Sequence, residues 1–269
     1  MAKPKFGGDW TKHKLVLLEK YLAAYMRIFR SNQKARWFNT YYIDAFAGAG
    51  TIELPSQPGT AGQLSGTGRL DFDDGPSSNR MSPESEFLVG SVRRALGIEP
   101  PFKNYIFIEQ KADRCRELEL LKSEFPDRSI NIYNTDANSY LRNWCRDIDL
   151  SKTRAVLFLD PYGMQVDWET LVAVAETHAI DTWLLFPIGG VIRHLTNKTP
   201  PDDEWSARLT RVFGTDSWRA RFYPTISKQT LLGIEETQRK DADYDDVTNF
   251  VLERLETIFT GSCRKSTLL

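Results

Sequence analysis

Cysteine is scarce in this 269-residue chain, and Cys115, Cys145 and Cys263 stand too far apart to form neighbouring pairs. Neither a disulfide framework nor a CxxC metal knuckle can be assembled from them, and a reducing, intracellular setting is expected. Histidine is equally sparse. His13, His178 and His194 are dispersed, and no HExxH or GxSxG pattern occurs, which excludes the usual metallohydrolase and serine-hydrolase layouts. Long hydrophobic runs are missing too. The stretch Thr182–Ile192 spans only 11 residues and contains Pro187, Gly189 and Gly190, against about 20 apolar residues needed to cross a bilayer. No membrane association is expected. The first 20 residues are rich in lysine and lack an apolar run, so no secretory signal is read there and the cytoplasm is the expected location.

What the chain does contain is ordinary for a folded domain: 41% hydrophobic and 26% charged residues, enough for a sizeable core. Its near-neutral total charge is unevenly spread. Nine basic residues between Lys3 and Arg36 face only Asp9 and Glu19, a net +7 on the first 36 residues set against −8 on the rest. Such a run fits either a polyanion-binding arm or the solvated outer face of a helix.

The periodicity divides the chain into three parts. Residues 1–36 read as a basic helical arm, with Leu15, Leu18, Leu22, Tyr25 and Phe29 at helical spacing after Thr11 as a possible N-cap. Residues 37–190 read as an α/β core. In it, apolar strand-like runs at 41–46, 104–109, 130–133, 154–159 and 182–186 alternate with helical segments at 82–96, 113–125, 138–147 and 168–178. Strict alternation predicts a doubly wound, mainly parallel, Rossmann-like sheet with helices on both faces. Residues 51–83 carry five Gly, four Pro and five Ser and read as a long insertion loop. Residues 191–269 read as a helical extension packed on the core, ending in a helix at 244–259. Within it Trp205, Arg208, Arg211, Phe213, Trp218, Arg219, Arg221 and Tyr223 interleave aromatic and basic groups. That mixture suits nucleic-acid stacking, or equally a core edged by solvated arginines.

Ligands of open parallel sheets collect at the carboxyl ends of the strands, and polar residues cluster at four such ends. Asp44 precedes the turn containing Phe46, Gly48 and Gly50; Glu109 ends the second strand; Asp136 and Ala137 follow the third; Asp160-Pro161-Tyr162-Gly163 follows the fourth. The glycine turn lacks the lysine of a P-loop and the third glycine of GxGxxG, so a phosphate ligand is poorly matched. Asp44 could hold an ammonium group, Glu109 the ribose hydroxyls and Asp136 an adenine amine. An adenosine carrying an amino acid and no phosphate is S-adenosylmethionine. Lys12 and His13 at a helix start, and Arg193 and His194 after the Gly189-Gly190 turn, are the further candidates, for substrate. No metal-ligand set is read.

Taken in order, the DAFAGAG segment at 44–50, Phe107-Ile-Glu109, Thr135-Asp136-Ala137 and Leu159-Asp-Pro-Tyr-Gly163 resemble the successive motifs of class I methyltransferases. Lys12-His13 ahead of Leu17-Leu18 and Tyr21-Leu22, FIEQ, and FLDPYG with Trp168 and Phe186-Pro187 beyond it resemble the three-Cys-motif partner family, from about Trp10 to Phe259. The resemblance implies a methyltransferase-like fold, an S-adenosylmethionine site, and association with a separate cysteine-motif protein that looks like a radical-SAM enzyme. Family members usually continue past the last helix into a paired terminal strand, whereas this chain stops at Ser266-Thr-Leu-Leu269, so either a sheet without an edge strand or a truncated sequence is expected. Asp160-Pro161-Tyr162 also resembles the D/N-P-P-Y signature of amino-methyltransferases, with Tyr where the second Pro belongs. In that signature a carboxylate and a proline-held carbonyl orient an amine while the aromatic ring stacks on a base. Three functions are therefore expected in competition: methylation of a nucleic-acid amine, DNA or RNA; a catalytically silent partner-binding module; and a methyltransferase for proteins or small molecules.

Overall fold

A computed structural model describes residues 9–49, 51–53, 87–197, 199–230 and 233–260. In chain order these form α1 (Asp9–Ser31), β1 (Asn39–Asp44), β2 (Thr51–Glu53), β3 (Phe87–Val89), α2 (Ser91–Leu96), β4 (Asn104–Ile108), α3 (Ala112–Glu124), β5 (Ile130–Tyr133), α4 (Ala137–Asp147), β6 (Thr153–Leu159), α5 (Trp168–Glu176), β7 (Ile180–Leu184), α6 (Ile188–His194), α7 (Asp203–Phe213), α8 (Trp218–Phe222), β8 (Thr225–Thr230), β9 (Gly233–Gln238) and α9 (Tyr244–Glu256). Five strands make an all-parallel sheet in the order β5-β4-β1-β6-β7. The chain direction across the sheet reverses between β1 and β6, which is the topological switch point of a doubly wound fold. No helix among the described residues is long and apolar enough to cross a membrane.

Side chains alternate across each strand, so one residue in two reaches each face. Tyr42, Tyr105, Phe107, Val156 and Phe158 bury against Leu18, Leu22, Tyr25 and Met26 of α1, Val92 and Leu96 of α2, and Leu118 and Leu121 of α3. Their neighbours Ile43, Ile106, Ile108, Ala155, Leu157 and Leu159 bury against Leu141 and Cys145 of α4 and Leu171 and Val174 of α5. Burial on both faces explains why the inner strands read as near-continuous apolar runs. A third cluster, built from Val191, Leu209, Phe213, Trp218, Phe222, Tyr223, Val247 and Phe250, holds α6 to α9 together.

Several expectations change. The helix predicted from Ser82 begins at Ser91; Ser82 and Pro83 lie outside the described residues, while Phe87-Leu88-Val89 pairs antiparallel with Thr51–Glu53. The extension after 190 is not purely helical, because β8 and β9 form an antiparallel hairpin of their own. Among the described residues the parallel sheet ends at β7. The basic segment forms α1, which runs to Ser31 and buries its apolar stripe on the sheet. Finally, Phe213, Trp218 and Tyr223 are core residues, and Arg219 lies over the Trp218 ring at 4.8 Å. Within the 205–223 mixture these three aromatics thus belong to a core edged by cations.

Candidate functional site

The pleat sets the geometry at the switch point. Asp44 lies two residues beyond Tyr42, Glu109 two beyond Phe107, and Asp160 two beyond Phe158, and Asp44 is in register with both Phe107 and Phe158. The strand alternation therefore carries three carboxylates from three adjacent strands, β4, β1 and β6, toward the α1 side of the sheet. The turn after β1 is tied to both neighbours. Ala45 N–H donates to the Phe158 carbonyl (3.2 Å) and Ala47 N–H to the Ile108 carbonyl (3.1 Å).

Gly48 sits at φ +60°, and a Cβ built there would meet nothing within 4 Å. The left-handed backbone favours glycine, and the space above it is open. Its N–H donates to Glu109 Oε2 at 3.0 Å, while Lys111 N–H donates to Oε1 at 2.8 Å and Arg114 stands 3.8 Å away. Glu109 thus clamps the β1 turn to the end of β4. Asn134 extends the lattice to the β5 end, donating to the carbonyls of Glu109 (3.0 Å) and Gln110 (2.8 Å).

Asp44 is 0% exposed. It accepts hydrogen bonds from Ser91 Oγ (2.6 Å), Phe46 N–H (3.2 Å) and Tyr42 Oη (3.5 Å). Burial pushes its carboxyl up to about 7, opposed by the Ser91 and Phe46 bonds and reinforced by the nearby Asp160 charge. Sealed in this way, Asp44 organises the turn, and it would act on a ligand ammonium through space, not by the direct contact expected from sequence.

Asp160 is met by Lys14 of α1, whose Nζ pairs with Oδ2; the two side chains are 12% and 34% exposed. Pro161 is buried, Gly163 adopts φ +77°, and Tyr162 stands 85% exposed beside the carboxylate. Lys14 was not among the residues singled out from sequence, although a signal was present. It precedes Leu18 by four residues and Leu22 by eight, which places a cation on the core-facing stripe of an amphipathic helix. His13 is exposed, and the Lys12 side chain and Gly50 lie outside the described residues.

The other candidates are placed differently. Asp136 is exposed and serves as N-cap of α4, accepting from Ser139 N–H at 2.8 Å, with Ala137 buried in the first turn. Phe46 is half-buried. Arg193 and His194 close α6, roughly 9 Å along the helix from the end it presents to β7. Arg193 Nε donates to the Gly189 carbonyl, and His194 stacks on Trp205 with ring centroids 3.4 Å apart. Arg208 covers the Trp205 ring at 4.8 Å. Burial, with the charges of Arg193 and Arg208, lowers the His194 pKa. This is a packed stack at the far end of α6, and nothing brings it to Asp160.

An apolar crevice lies behind the Asp160 loop, lined by Pro161, Met164, Leu171, Leu184, Phe186 and Val212 among others; at about 10 Å³ it admits no more than a water molecule. A wider groove of about 320 Å³ runs along α4 from Thr135 past Tyr140 and Trp144 to Asp147. Gly48 and Glu109 line neither; the hydrogen bond between them, not a closed chamber, is what joins them. No metal-ligating cluster occurs among the described residues.

No protein-family model and no curated protein matches this sequence. Among solved structures, the crystal structure of a Legionella pneumophila protein described by the family model DUF519 is similar at 14% identity. The alignment covers 95% of this chain and 94% of that one, with a TM-score of 0.43.

Proposed function

We propose that this chain is an S-adenosylmethionine-dependent methyltransferase that modifies an amine of a nucleic acid. One observation carries the reading: Asp44, Glu109 and Asp160 share one side of three adjacent strand ends at the switch point, around a glycine turn that opens on free space. Bound there, the cofactor would supply an electrophilic methyl group on a sulfonium. The residues present fit its parts. Glu109 offers the remaining lone pairs of its carboxylate to the ribose hydroxyls, and the Gly48 turn allows close backbone approach. The start of α4 at Asp136 and Ala137 would border the adenine. Asp44, half-ionised near neutral pH, would favour a cationic ligand through space.

Asp160 and the Pro161 segment would accept hydrogen bonds from the acceptor amine and aim its lone pair, while the exposed ring of Tyr162 would stack on the base. In-line positioning and exclusion of water are then the main catalytic contributions, since the methyl donor needs no strong base. In keeping with the sequence resemblance, the partner would be a cysteine-motif, radical-SAM-like protein in the cytoplasm. The test is calorimetric titration with S-adenosylhomocysteine, followed by mass spectrometry of co-incubated DNA and RNA. Binding, and methyl groups lost in Asp160→Ala, are expected; an isothermal trace without heat at millimolar ligand would overturn the reading.

A second reading, a silent partner-binding module, is favoured by the Lys14 contact. The ammonium of Lys14 takes the Asp160 oxygen that an incoming amine would need. Methylated nucleic acid made by the wild-type chain and not by Asp160→Ala excludes this reading.

A further inference from the structure

We propose that the opposite, amino-terminal edge of the sheet, around Trp37, is a docking surface for single-stranded nucleic acid. Trp37 is 85% exposed, an unusual position for the largest apolar side chain. It lies between α1 and β1, two residues before Asn39, and cations neighbour it along the chain and through the Lys103 contact to Arg36. Arg27, Arg30, Lys34 and Arg36 come from the end of α1 and the turn after it, and Lys103 immediately precedes β4; all five are exposed. They are held close together: Arg36 Nε donates to the Arg30 carbonyl (2.9 Å) and Lys103 Nζ to the Arg36 carbonyl (3.0 Å).

Among the described residues several other cations form ion pairs, as in Arg93 with Glu124, Arg94 with Glu19, Arg128 with Glu99 and Lys152 with Asp149. Among the described residues none of these five forms an ion pair, and no acidic residue occurs between Glu19 and Asp44. Exposed cations without ion pairs beside an exposed flat ring match a polyanion that also offers aromatic faces. Cations hold the phosphates while the indole stacks on an unpaired base, an arrangement that tolerates any sequence. A duplex would offer the charge without the free base face.

The surface is separated from Asp44 by the length of β1, about 17 Å, so it stands whether or not the chain transfers methyl groups. A nucleic acid held there would be anchored away from the carboxylate end. The experiment is fluorescence anisotropy with a labelled 20-nucleotide single strand and a duplex of equal length, using the full chain at several salt concentrations. Trp37→Ala should weaken single-strand binding about tenfold, barely affect the duplex, and be largely rescued by Trp37→Phe. The combined Arg27→Gln, Arg30→Gln and Lys34→Gln variant should weaken both and reduce the salt slope for the single strand by about 2. All these side chains are exposed, and circular dichroism checks the fold. Single-strand binding unchanged by Trp37→Ala, an unaltered salt slope in the charge variant, or equal loss when a heparin competitor replaces the nucleic acid in titrations of both variants would overturn the proposal.

Discussion

Lys14 and Asp160 are 146 residues apart in the chain, and the ammonium of one rests on the carboxylate of the other. The pair joins the first helix to the end of β6, the strand beside the central β1. Its burial is uneven, since Lys14 is largely covered and Asp160 is a third exposed. A double-mutant cycle with Lys14→Ala and Asp160→Ala, read by urea denaturation, should give a coupling of about 1 kcal/mol, above an exposed pair and below a fully buried one. Additive single effects would show that the contact contributes nothing to stability.

Asp44 makes folding sensitive to pH. Its carboxyl titrates near 3.8 in the unfolded chain and at about 7 in the folded one. Below about pH 4 both states hold the proton; between 4 and 7 only the folded state does, so stability falls as pH rises through that window and the loss is complete above it. Asp44→Asn removes the titration while still accepting from Phe46. The variant should match wild type at pH 4 and exceed it at pH 8, with about 4 kcal/mol as the upper bound. Thermal melts at the two pH values measure this, and a difference that does not change with pH would contradict the buried ionisation.

Two glycines with similar backbone angles should respond unequally to alanine. Gly48 (φ +60°) faces open space, so Gly48→Ala costs only backbone strain of about 1 kcal/mol, while its methyl group projects where a ligand would approach. At Gly214 (φ +67°) the new Cβ would fall inside the Trp168 indole, which is itself packed under Arg254. Gly214→Ala should cost several kcal/mol or prevent folding. Differential scanning calorimetry gives the ranking, and similar melting temperatures for the two variants would be inconsistent with this packing.

Glu109→Ala leaves the amides of Gly48 and Lys111 without their acceptor. The expected loss is about 2 kcal/mol, because desolvated donors are costly when unpaired. Hydrogen exchange should quicken at Gly48 and Lys111 and not at the buried strand amides of β6. Glu109→Gln, which keeps an accepting oxygen, should recover part of the protection.

The alternation of apolar runs and helical stripes was readable along the chain because each is a local consequence of the pleat or of the helical turn. Strands at 130–133 and 154–159 and helices at 113–125 and 138–147 stand within a residue or two of their predicted bounds. The clustering of Asp44, Glu109 and Asp160 at strand ends was likewise visible, since residues two apart on a strand share a face. Other features depended on partners distant in sequence. Hydrogen-bond pairing across the 51–83 insertion converts Phe87–Val89 from predicted helix to strand, and a hairpin at 225–238 interrupts the predicted helical extension. The charge on Lys14 looked like part of a solvated run until the docking of α1 turned it toward Asp160. Asp44 looked like a ligand contact until Ser91 of α2 sealed it. Periodicity encodes which way a side chain leaves its own backbone; what it meets there is settled by the packing of segments whose contacts leave no local trace.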